Sequence, residues 1–592
     1  MIKQYIISFL VAFVLSIILT PLIKKMALAK GFVAKPREDR WHKKEVALFG
    51  GVAIFISFII PYVFLVHITV EGVGIIVCGA IMFLFGLFDD IRHIKPYTKL
   101  IGQIIVASLL VVFGVRINII PYDIVSVPLT VLWMLIIVNA INLLDNMDGL
   151  AAGVAAIISA ILFLFTFLNG NFTVSLPALI LAGSLFGFLR YNFSPAKIFM
   201  GDCGSMFIGF MLATITLQGS WKESTHLLMV LAIPVLVLAV PIFDTAFVAL
   251  MRGLSSRNVF QGGKDHISHR MVVLGLSDKK AVMVLYIICI VFGAISVLSM
   301  FVHPLVTTIL VLLVSIFFIY FTAFLGKVKV YSDADIIKVR KKENNVVLNS
   351  ILLHKRRILE VFVDFILICV AYISSYLLRY EGILLPQNQV LITRSLPIIL
   401  IIKYIVFVRF GLYRGFWRYI GIPDMIDIFK AITVSSVIST VILLFIWRFQ
   451  DFSRAVFIID WLLLFVLISG VRILERIYKE IFDQVGLKGK RALIYGAGDA
   501  GEFIIREIKN NKLLNYKPII FLDDDEEKIG KRIHGITVFG PRGELPRLVK
   551  HNDIDEVIIA IPNIPKHIFD EIVGFCHSLD VPYKRMHDIL PG

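Results

Sequence analysis

Val131-Leu-Trp-Met-Leu-Ile-Ile-Val-Asn139-Ala-Ile-Asn142-Leu-Leu-Asp145-Asn146-Met-Asp148-Gly149 decides how the first half of the chain is read. A long apolar run ends abruptly in three amides and two carboxylates, with almost no other charge nearby. The apolar part reads as a membrane span. Carboxylates and amides at a membrane edge are costly unless they bind something, which makes the stretch a candidate site. Hard oxygen donors of this kind suit a divalent cation such as Mg²⁺ with a phosphate on it.

The rest of the chain supports the membrane setting. Of 592 residues, 58% are hydrophobic and only 17% charged, with a mean hydropathy of +0.87. A soluble protein of this size has no use for so much apolar surface, so the class is a polytopic membrane protein. The net charge of +16 is not a nucleic-acid signal, because Lys and Arg cluster in short loops between apolar runs, the positive-inside pattern. Five scattered cysteines without Cys-x-x-Cys spacing exclude a disulfide framework and a zinc knuckle. The first run, Ile6–Ile23, has no small-residue cleavage site and reads as a retained helix.

Apolar runs long enough to span fall near 5–23, 48–66, 72–88, 100–115, 125–141, 152–169, 173–190, 203–218, 226–249, 281–300 and 304–325. Four more lie near 358–379, 391–410, 428–448 and 455–475. The expected fold is a polytopic α-helical membrane protein, 11 + 4 transmembrane helices, with a C-terminal cytoplasmic α/β Rossmann-like domain. Its parts are a membrane domain over 1–325, a polar cytoplasmic linker over 326–355, a four-helix membrane domain over 356–485 and a cytoplasmic domain over 486–592. The basic loops Lys24/Lys25, Arg37–Lys44, Arg92–Lys99, Arg252–Arg270, Lys327–Lys329 and Lys355–Arg357 share one side if the N-terminus is outside. That side is then cytoplasmic.

The acids of the first half favour the same side. Asp89 and Asp90 end the third span, Asp145 and Asp148 follow the fifth, and Asp202 follows the seventh. Asp244 is expected in the last turns of the ninth span, with His266 and His269 in the loop beyond. Acids, amides, a basic loop and two histidines on one membrane face suit phosphoryl transfer between a soluble nucleotide-linked donor and a lipid phosphate. In such chemistry a metal neutralises the diphosphate and positioning does most of the work.

Four ordered motifs carry a family resemblance: Gly86-Leu-Phe-Asp-Asp90, Asn139–Gly149, Tyr191-Asn-Phe-Ser-Pro-Ala-Lys-Ile-Phe-Met-Gly-Asp202-Cys-Gly-Ser205 and Asp265-His-Ile-Ser-His-Arg270. Together, over about residues 1–325, they resemble the polyprenyl-phosphate N-acetylhexosamine-1-phosphate transferases of the WecA and MraY type. The resemblance implies that a UDP-N-acetylhexosamine and undecaprenyl phosphate give undecaprenyl-diphospho-sugar and UMP. It implies Mg²⁺, with Mn²⁺ as a substitute, and a multi-pass protein of the bacterial inner membrane with its active site cytoplasmic. Residue by residue, Asp202 resembles the principal metal ligand and Asp145 the acid near metal and nucleotide. Asp89 and Asp90 resemble the acidic pair at the lipid phosphate, and Asn142 and Asp148 the shapers of the same pocket. Phe199 resembles the aromatic that stacks on uracil, and Asn192 the amide near its edge. His266, His269 and Arg270 match the histidine motif at the donor diphosphate, although Ser268 stands where the family usually has a histidine. Lys43 matches a phosphate-binding lysine, with Ala47 in place of the usual proline before Gly50-Gly51.

In the second half, Lys490-Arg-Ala-Leu-Ile-Tyr-Gly496-Ala-Gly498-Asp-Ala-Gly501 is a strand running into Gly-x-Gly-x-x-Gly. A helical pattern over Glu502–Asn510 follows, then a second strand, Pro518–Leu522, ending at Asp523 about twenty residues on. A third strand is expected at Glu556–Ile561. In that context Gly496, Gly498, Gly501 and Asp523 are candidates for holding a nucleotide, its phosphates at the helix N-terminus. A purely structural Rossmann-like fold is the other reading. The four spans plus this unit resemble the N-terminal region of CapD/PglF-type membrane nucleotide-sugar dehydratases. No Tyr-x-x-x-Lys follows residue 488, so a binding, regulatory or oligomerisation module is expected, homo-oligomers included, rather than a dehydratase.

Two rival functions frame the transferase reading. A transporter or flippase of lipid-linked sugars should carry its ionisable groups near the bilayer midplane, whereas Glu360, Asp364, Asp460 and Glu475 are expected toward span ends. A scaffold for a separate dehydratase fits the second half but leaves the four motifs unexplained.

Overall fold

The computed structural model describes residues 2–34, 45–117, 123–219, 233–254, 265–326, 347–413, 422–448, 452–485, 489–510 and 514–589. In chain order the helices of the first half are α1 (Ile2–Ala29), α2 (Gly50–Leu65), α3 (Val70–Arg92), α4 (Pro96–Val112), α5 (Asp123–Leu144), α6 (Leu150–Leu168), α7 (Phe172–Asn192) and α8 (Gly201–Gln218). Then come α9 (Ala239–Leu254), a short α10 (Ile267–Val273), α11 (Asp278–Leu298) and α12 (Pro304–Gly326). A second set comprises α13 (Val347–Arg379), α14 (Pro386–Arg409), α15 (Ile422–Trp447) and α16 (Arg454–Val485). Among the described residues, eleven helices are long and apolar enough to cross a membrane, and α2 and α4 are shorter apolar helices.

Helix α8 organises the first half. Nearly all its residues from Cys203 to Thr216 are buried, and glycines let its neighbours approach closely. A Cβ on Gly86 of α3 would lie 2.6 Å from the Asp202 carbonyl oxygen, and one on Gly51 of α2 2.3 Å from the Gly204 nitrogen. On α8 itself, a Cβ on Gly209 would lie 2.7 Å from Val138 Cα of α5. Membrane helices associate by this kind of small-residue packing, since lipid offers no hydrophobic drive between them. The N-terminus of α8, with Asp202, is thereby fixed against α2, α3 and α5. A two-stranded ribbon, β1 (Val33–Ala34) with β2 (Val46–Ala47), lies beside it, and Ala47 bridges to Ile198 in the loop before α8.

Two expectations change. Helical residues at 233–237 lead into α9, which runs from Ala239 to Leu254, so Asp244 lies about three turns before the helix end rather than in its last turns. The helix outlasts the apolar run because Arg252, near its end, is buried in an ion pair with Asp265. The expected start of that span, 226–232, lies outside the described residues. The linker expected over 326–355 gives way to α13 from Val347, because the basic stretch before the apolar run continues the same helix. Asp460 lies toward the start of α16, as expected. It is buried and paired with Lys403 of α14 at 2.6 Å. Asp364 is likewise buried, accepting from the Tyr413 hydroxyl. The side chain of Glu475 lies outside the described residues.

Compact packing joins α13–α15 and the first part of α16 to the first half in one unit, Met1–Gly415 with Gly421–Ser469. Within it α14 packs along α4, α5 and α15, and α13 along α4.

Gly470–Gly592 belong to a second unit. Its sheet has the order β5-β6-β4-β3-β7-β8, with β3 (Lys490–Tyr495), β4 (Tyr516–Leu522), β5 (Arg532–Ile533), β6 (Ile536–Phe539), β7 (Glu556–Ile559) and β8 (Tyr583–Arg585). All pairings are parallel except the β5–β6 hairpin. This is a doubly wound Rossmann-like sheet, with its order reversing at β3. Along β3, Ala492 and Ile494 enter one apolar core and Leu493 and Tyr495 the other, as a parallel strand covered on both faces requires. Glu556–Ile559 is therefore the fourth parallel strand in sequence. Strands β5, β6 and β8, all short, are not among those expected from sequence. Of these β6, which precedes β7 in the parallel set, is only four residues long and follows Gly535 at φ 87°.

Candidate active site

Asp202 begins the site, in the first turn of α8. Its Oδ1 accepts from Asn142 Nδ2 of α5 at 2.6 Å, and its Oδ2 from Lys99 Nζ of α4 at 3.1 Å. Asn142 Nδ2 also contacts Ser205 Oγ at 2.8 Å. The Lys99 ammonium contacts Asp89 as well, so one cation bridges two carboxylates. Asp89 is further fixed by the Ile94 amide, which donates to its Oδ1 at 2.7 Å. One turn down from Asn142, Asn139 donates to Gln103 of α4 at 2.7 Å, tying together the two helices that supply Lys99 and Asn142. About a third of the Asp202 side chain is exposed, whereas Asp89 is almost fully covered. Of the cluster's two carboxylates, only Asp202 is open to a ligand from solution.

Asp90 has a different position from its neighbour. Its two oxygens accept from the backbone amides of Asp202, at 2.7 Å, and Cys203, at 3.0 Å. It therefore caps α8 from another helix, satisfying N–H groups that a helix start leaves open. Gly201, at φ 73° and with a Cβ position 2.7 Å from Asp90 Oδ2, allows that approach.

The stretch after α5 is a wall tied at several points. Asp148 Oδ2 accepts from the Ala196 amide at 2.8 Å and so holds the loop leading to Asp202. Asn146 Oδ1 accepts from Ser268 at 3.0 Å. Ser268, which replaces a histidine, thus links the histidine motif to this wall. Gly149, at φ 77°, gives its carbonyl to Tyr286 of α11. Asn192 is buried, and its Nδ2 donates to the Ile198 carbonyl at 2.9 Å, bracing the same loop, while its Oδ1 has no hydrogen-bond partner among the described residues. Phe199 is half-buried there, with its backbone bonded to Ala47 and Gly50.

Asp244 receives the histidine motif. His266 Nδ1 lies 2.7 Å from Asp244 Oδ2, and the Ile267 amide donates to Oδ1 at 2.9 Å. His266 and His269 are buried, their rings 5.8 Å apart. Arg270 is also buried, donating to the Leu325 and Gly326 carbonyls at the end of α12. Lys43 lies outside the described residues. Among the described residues no group of three or more His, Cys, Asp or Glu side chains could hold a metal ion.

Lys99 is the site residue that sequence reasoning passed over as one more basic-loop charge. Its signal was placement: it enters the first turn of an apolar helix ten residues after Asp89.

In the C-terminal unit the glycine loop precedes α17 (Asp499–Asn510). Gly496 has φ 105°, and a Cβ on Gly501 would lie 2.1 Å from the Gly496 oxygen, as a tight strand-to-helix turn demands. The Asp523 carboxylate, however, accepts from the Ala497 amide of that loop at 2.6 Å and from Lys528 at 3.3 Å. The first turn of α17 carries Asp499 and Glu502, charges that disfavour a phosphate at a helix start. Nearby, Asp524 accepts from the Tyr495 hydroxyl at 2.6 Å, and burial together with that carboxylate pushes the phenol's pKa up.

A multi-pass helical protein with a lysine-bridged carboxylate cluster at a helix start has the makings of a membrane phosphoryl transferase. Comparison with known proteins agrees. Residues 73–220 match glycosyl transferase family 4, and residues 410–581 match a CoA-binding domain. A probable undecaprenyl-phosphate N-acetylglucosaminyl 1-phosphate transferase of Bacillus subtilis (strain 168) is 35% identical, over 49% of this chain and 83% of that protein. A decaprenyl-phosphate N-acetylglucosaminephosphotransferase of Mycobacterium tuberculosis (strain CDC 1551 / Oshkosh) is 33% identical, over 50% of this chain and 82% of its own length. The capsular polysaccharide biosynthesis protein CapD of Staphylococcus aureus is 30% identical over 34% of each chain. The chain belongs to the polyprenyl-phosphate hexosamine-1-phosphate transferases of glycosyl transferase family 4, here fused to a CapD-like C-terminal region.

Proposed function

We propose that the chain transfers N-acetylhexosamine 1-phosphate from a UDP-sugar to undecaprenyl phosphate, giving undecaprenyl-diphospho-sugar and UMP, in a Mg²⁺-dependent step that initiates cell-envelope glycan assembly. N-acetylglucosamine is the first sugar to test, since the relatives' names carry it. The orientation follows the basic loops, which put the catalytic cluster and the C-terminal domain on the cytoplasmic side of a bacterial inner membrane. The observation that carries the proposal is the bridging of Asp89 and Asp202 by Lys99 beside Asn142.

In this reading an oxygen of the lipid phosphate attacks the sugar-bearing phosphorus of the donor. The new P–O bond forms as the bond to the UMP oxygen breaks, and UMP leaves with that electron pair. A phosphate monoester has a second pKa of about 6 and is largely ionised at neutral pH, so no base is required. Asp90, with both oxygens on the α8 backbone, suits a cap better than a proton acceptor. Mg²⁺ needs only one or two carboxylates plus substrate phosphates and water, a demand that the partly exposed Asp202 carboxylate suits. Asp202 and Asp145 would hold it, and it would neutralise charge on the diphosphate. Lys99 is placed to balance charge between the two substrates' phosphates, and Phe199, half-buried in the loop before α8, would stack on the base.

The test is UMP release by purified full-length protein given undecaprenyl phosphate, Mg²⁺ and a panel of UDP-N-acetylhexosamines. Release with at least one donor, stopped by a chelator and restored by Mg²⁺, is expected. No release with any donor would sink the proposal.

A further inference from the structure

Helix α4 carries Lys99 in its first turn, which opens with Pro96 and with the Thr98 and Lys99 amides on the Lys95 carbonyl. Its N-cap is Lys95, with no side-chain cap hydrogen bond. A lysine is a poor N-cap, and its charge is unfavourable at that helix end. The backbone of the turn is wound locally, and what remains to be fixed is how the turn lies against its neighbours while the ammonium sits between Asp89 and Asp202.

The fused helices supply a clamp. Arg357, early in α13, places its guanidinium over the ring of Tyr97, 5.5 Å from the centroid. Tyr97 precedes Lys99 by two residues. In a helix that spacing sends the two side chains to different faces: the ring meets α13, and the ammonium meets the carboxylates. Both Arg357 and Tyr97 are half-buried, where a cation on an aromatic face gains more than at an exposed site. The wall behind them is anchored. Helix α14 packs along α4 and α5, over the pair joined by Gln103 and Asn139. It is held in turn to α16 by the buried Lys403–Asp460 pair.

We infer that Arg357 is a positioning residue of the transferase site, contributed by the fused four-helix region and acting on Lys99 through Tyr97. It rests on the transferase reading above. The second membrane region is then part of the catalytic scaffold, not a neighbour tethered by a linker.

A double-mutant cycle on the full chain tests this, with kcat and KM measured for both substrates. Arg357→Ala should lower kcat about tenfold, the scale of a half-buried cation–ring contact, while each KM stays within about twofold. Arg357→Lys should recover most of the loss, and Tyr97→Phe should keep wild-type kcat. Tyr97→Leu should match Arg357→Ala, and the double variant should be no worse than either single one, as for residues acting through one contact. Wild-type kcat in Arg357→Ala, or additive losses in the double variant, would overturn the inference. If Arg357→Ala does not give a monodisperse protein, Tyr97→Leu against Tyr97→Phe decides, and equal kcat in those two overturns it as well. A wild-type protein inactive with every donor would instead count against the transferase reading.

Discussion

Two places in this chain promise phosphate from sequence: the carboxylate cluster around Asp202 and the glycine loop before α17. The structure completes them differently. At Asp202 the amide, the lysine and the helix cap come from three other helices, and they leave one carboxylate partly open. At the glycine loop the acid expected to help hold a nucleotide is bonded to the loop's own amide, and acids occupy the helix start. A motif secures a backbone shape, whereas binding depends on which charges that shape leaves unspent.

Substitutions can break or sharpen this contrast. The largest effect is expected from Lys99→Met. It leaves Asp89 buried and uncompensated and removes a preorganised charge, so transfer should fall about 10²–10³-fold, by analogy with loss of a charge-stabilising donor. A fall below tenfold in the UMP assay would remove Lys99 from the site. The same Gly→Ala change should then read oppositely in the two regions. Gly86→Ala drives a methyl into the Asp202 backbone, and overpacking of this kind costs about 1–3 kcal/mol. Detergent thermal melts should drop and activity fall with them.

An intermediate effect on stability is expected inside the C-terminal sheet, at the start of β7. Buried Glu556 is held by Lys490 at 2.8 Å and Tyr516 at 2.9 Å, with Lys584 nearby. Burial by itself would raise its pKa, but these partners outweigh it and lower it. A carboxyl with a depressed folded pKa stabilises the fold above its unfolded value, and the contribution is lost as pH falls through the folded one. Glu556→Gln should therefore cost about 2 kcal/mol at neutral pH, with the gap from wild type closing as acid titrates the wild-type carboxylate. A gap that widens in acid would contradict the sign. The smallest effect is at Gly498, where an added Cβ meets nothing within 4 Å. Gly498→Ala should leave stability within about 0.5 kcal/mol and transfer unchanged. A nucleotide-dependent rise in melting temperature that this change abolishes would show instead that the loop is a ligand site.

Much of this was legible in the sequence because membrane spans and glycine turns are local patterns. Apolar length located the helices, and the run into Gly496-Ala-Gly498 located β3 and α17. The division of labour within the site was not legible. Nothing in Asp89-Asp90 says that one carboxylate would meet a lysine and its neighbour cap a helix more than a hundred residues away. Asn192 and Asp148 look like ligand groups by residue type, yet both hydrogen-bond backbone groups of the loop before α8. Lys403 was missed because a lysine inside an apolar run has no meaning until its acid, Asp460, is found on another helix.

The central claim is that transfer depends on the Asp202 cluster and not on the glycine loop. Sugar-phosphate transfer to polyprenyl phosphate by the full chain carrying Asp202→Asn, set beside the chain carrying Asp523→Asn, tests it most directly. The account predicts that the first loses transfer by at least about 10²-fold while the second keeps it. Retained transfer in Asp202→Asn, or its loss in a folded Asp523→Asn protein, would contradict the account.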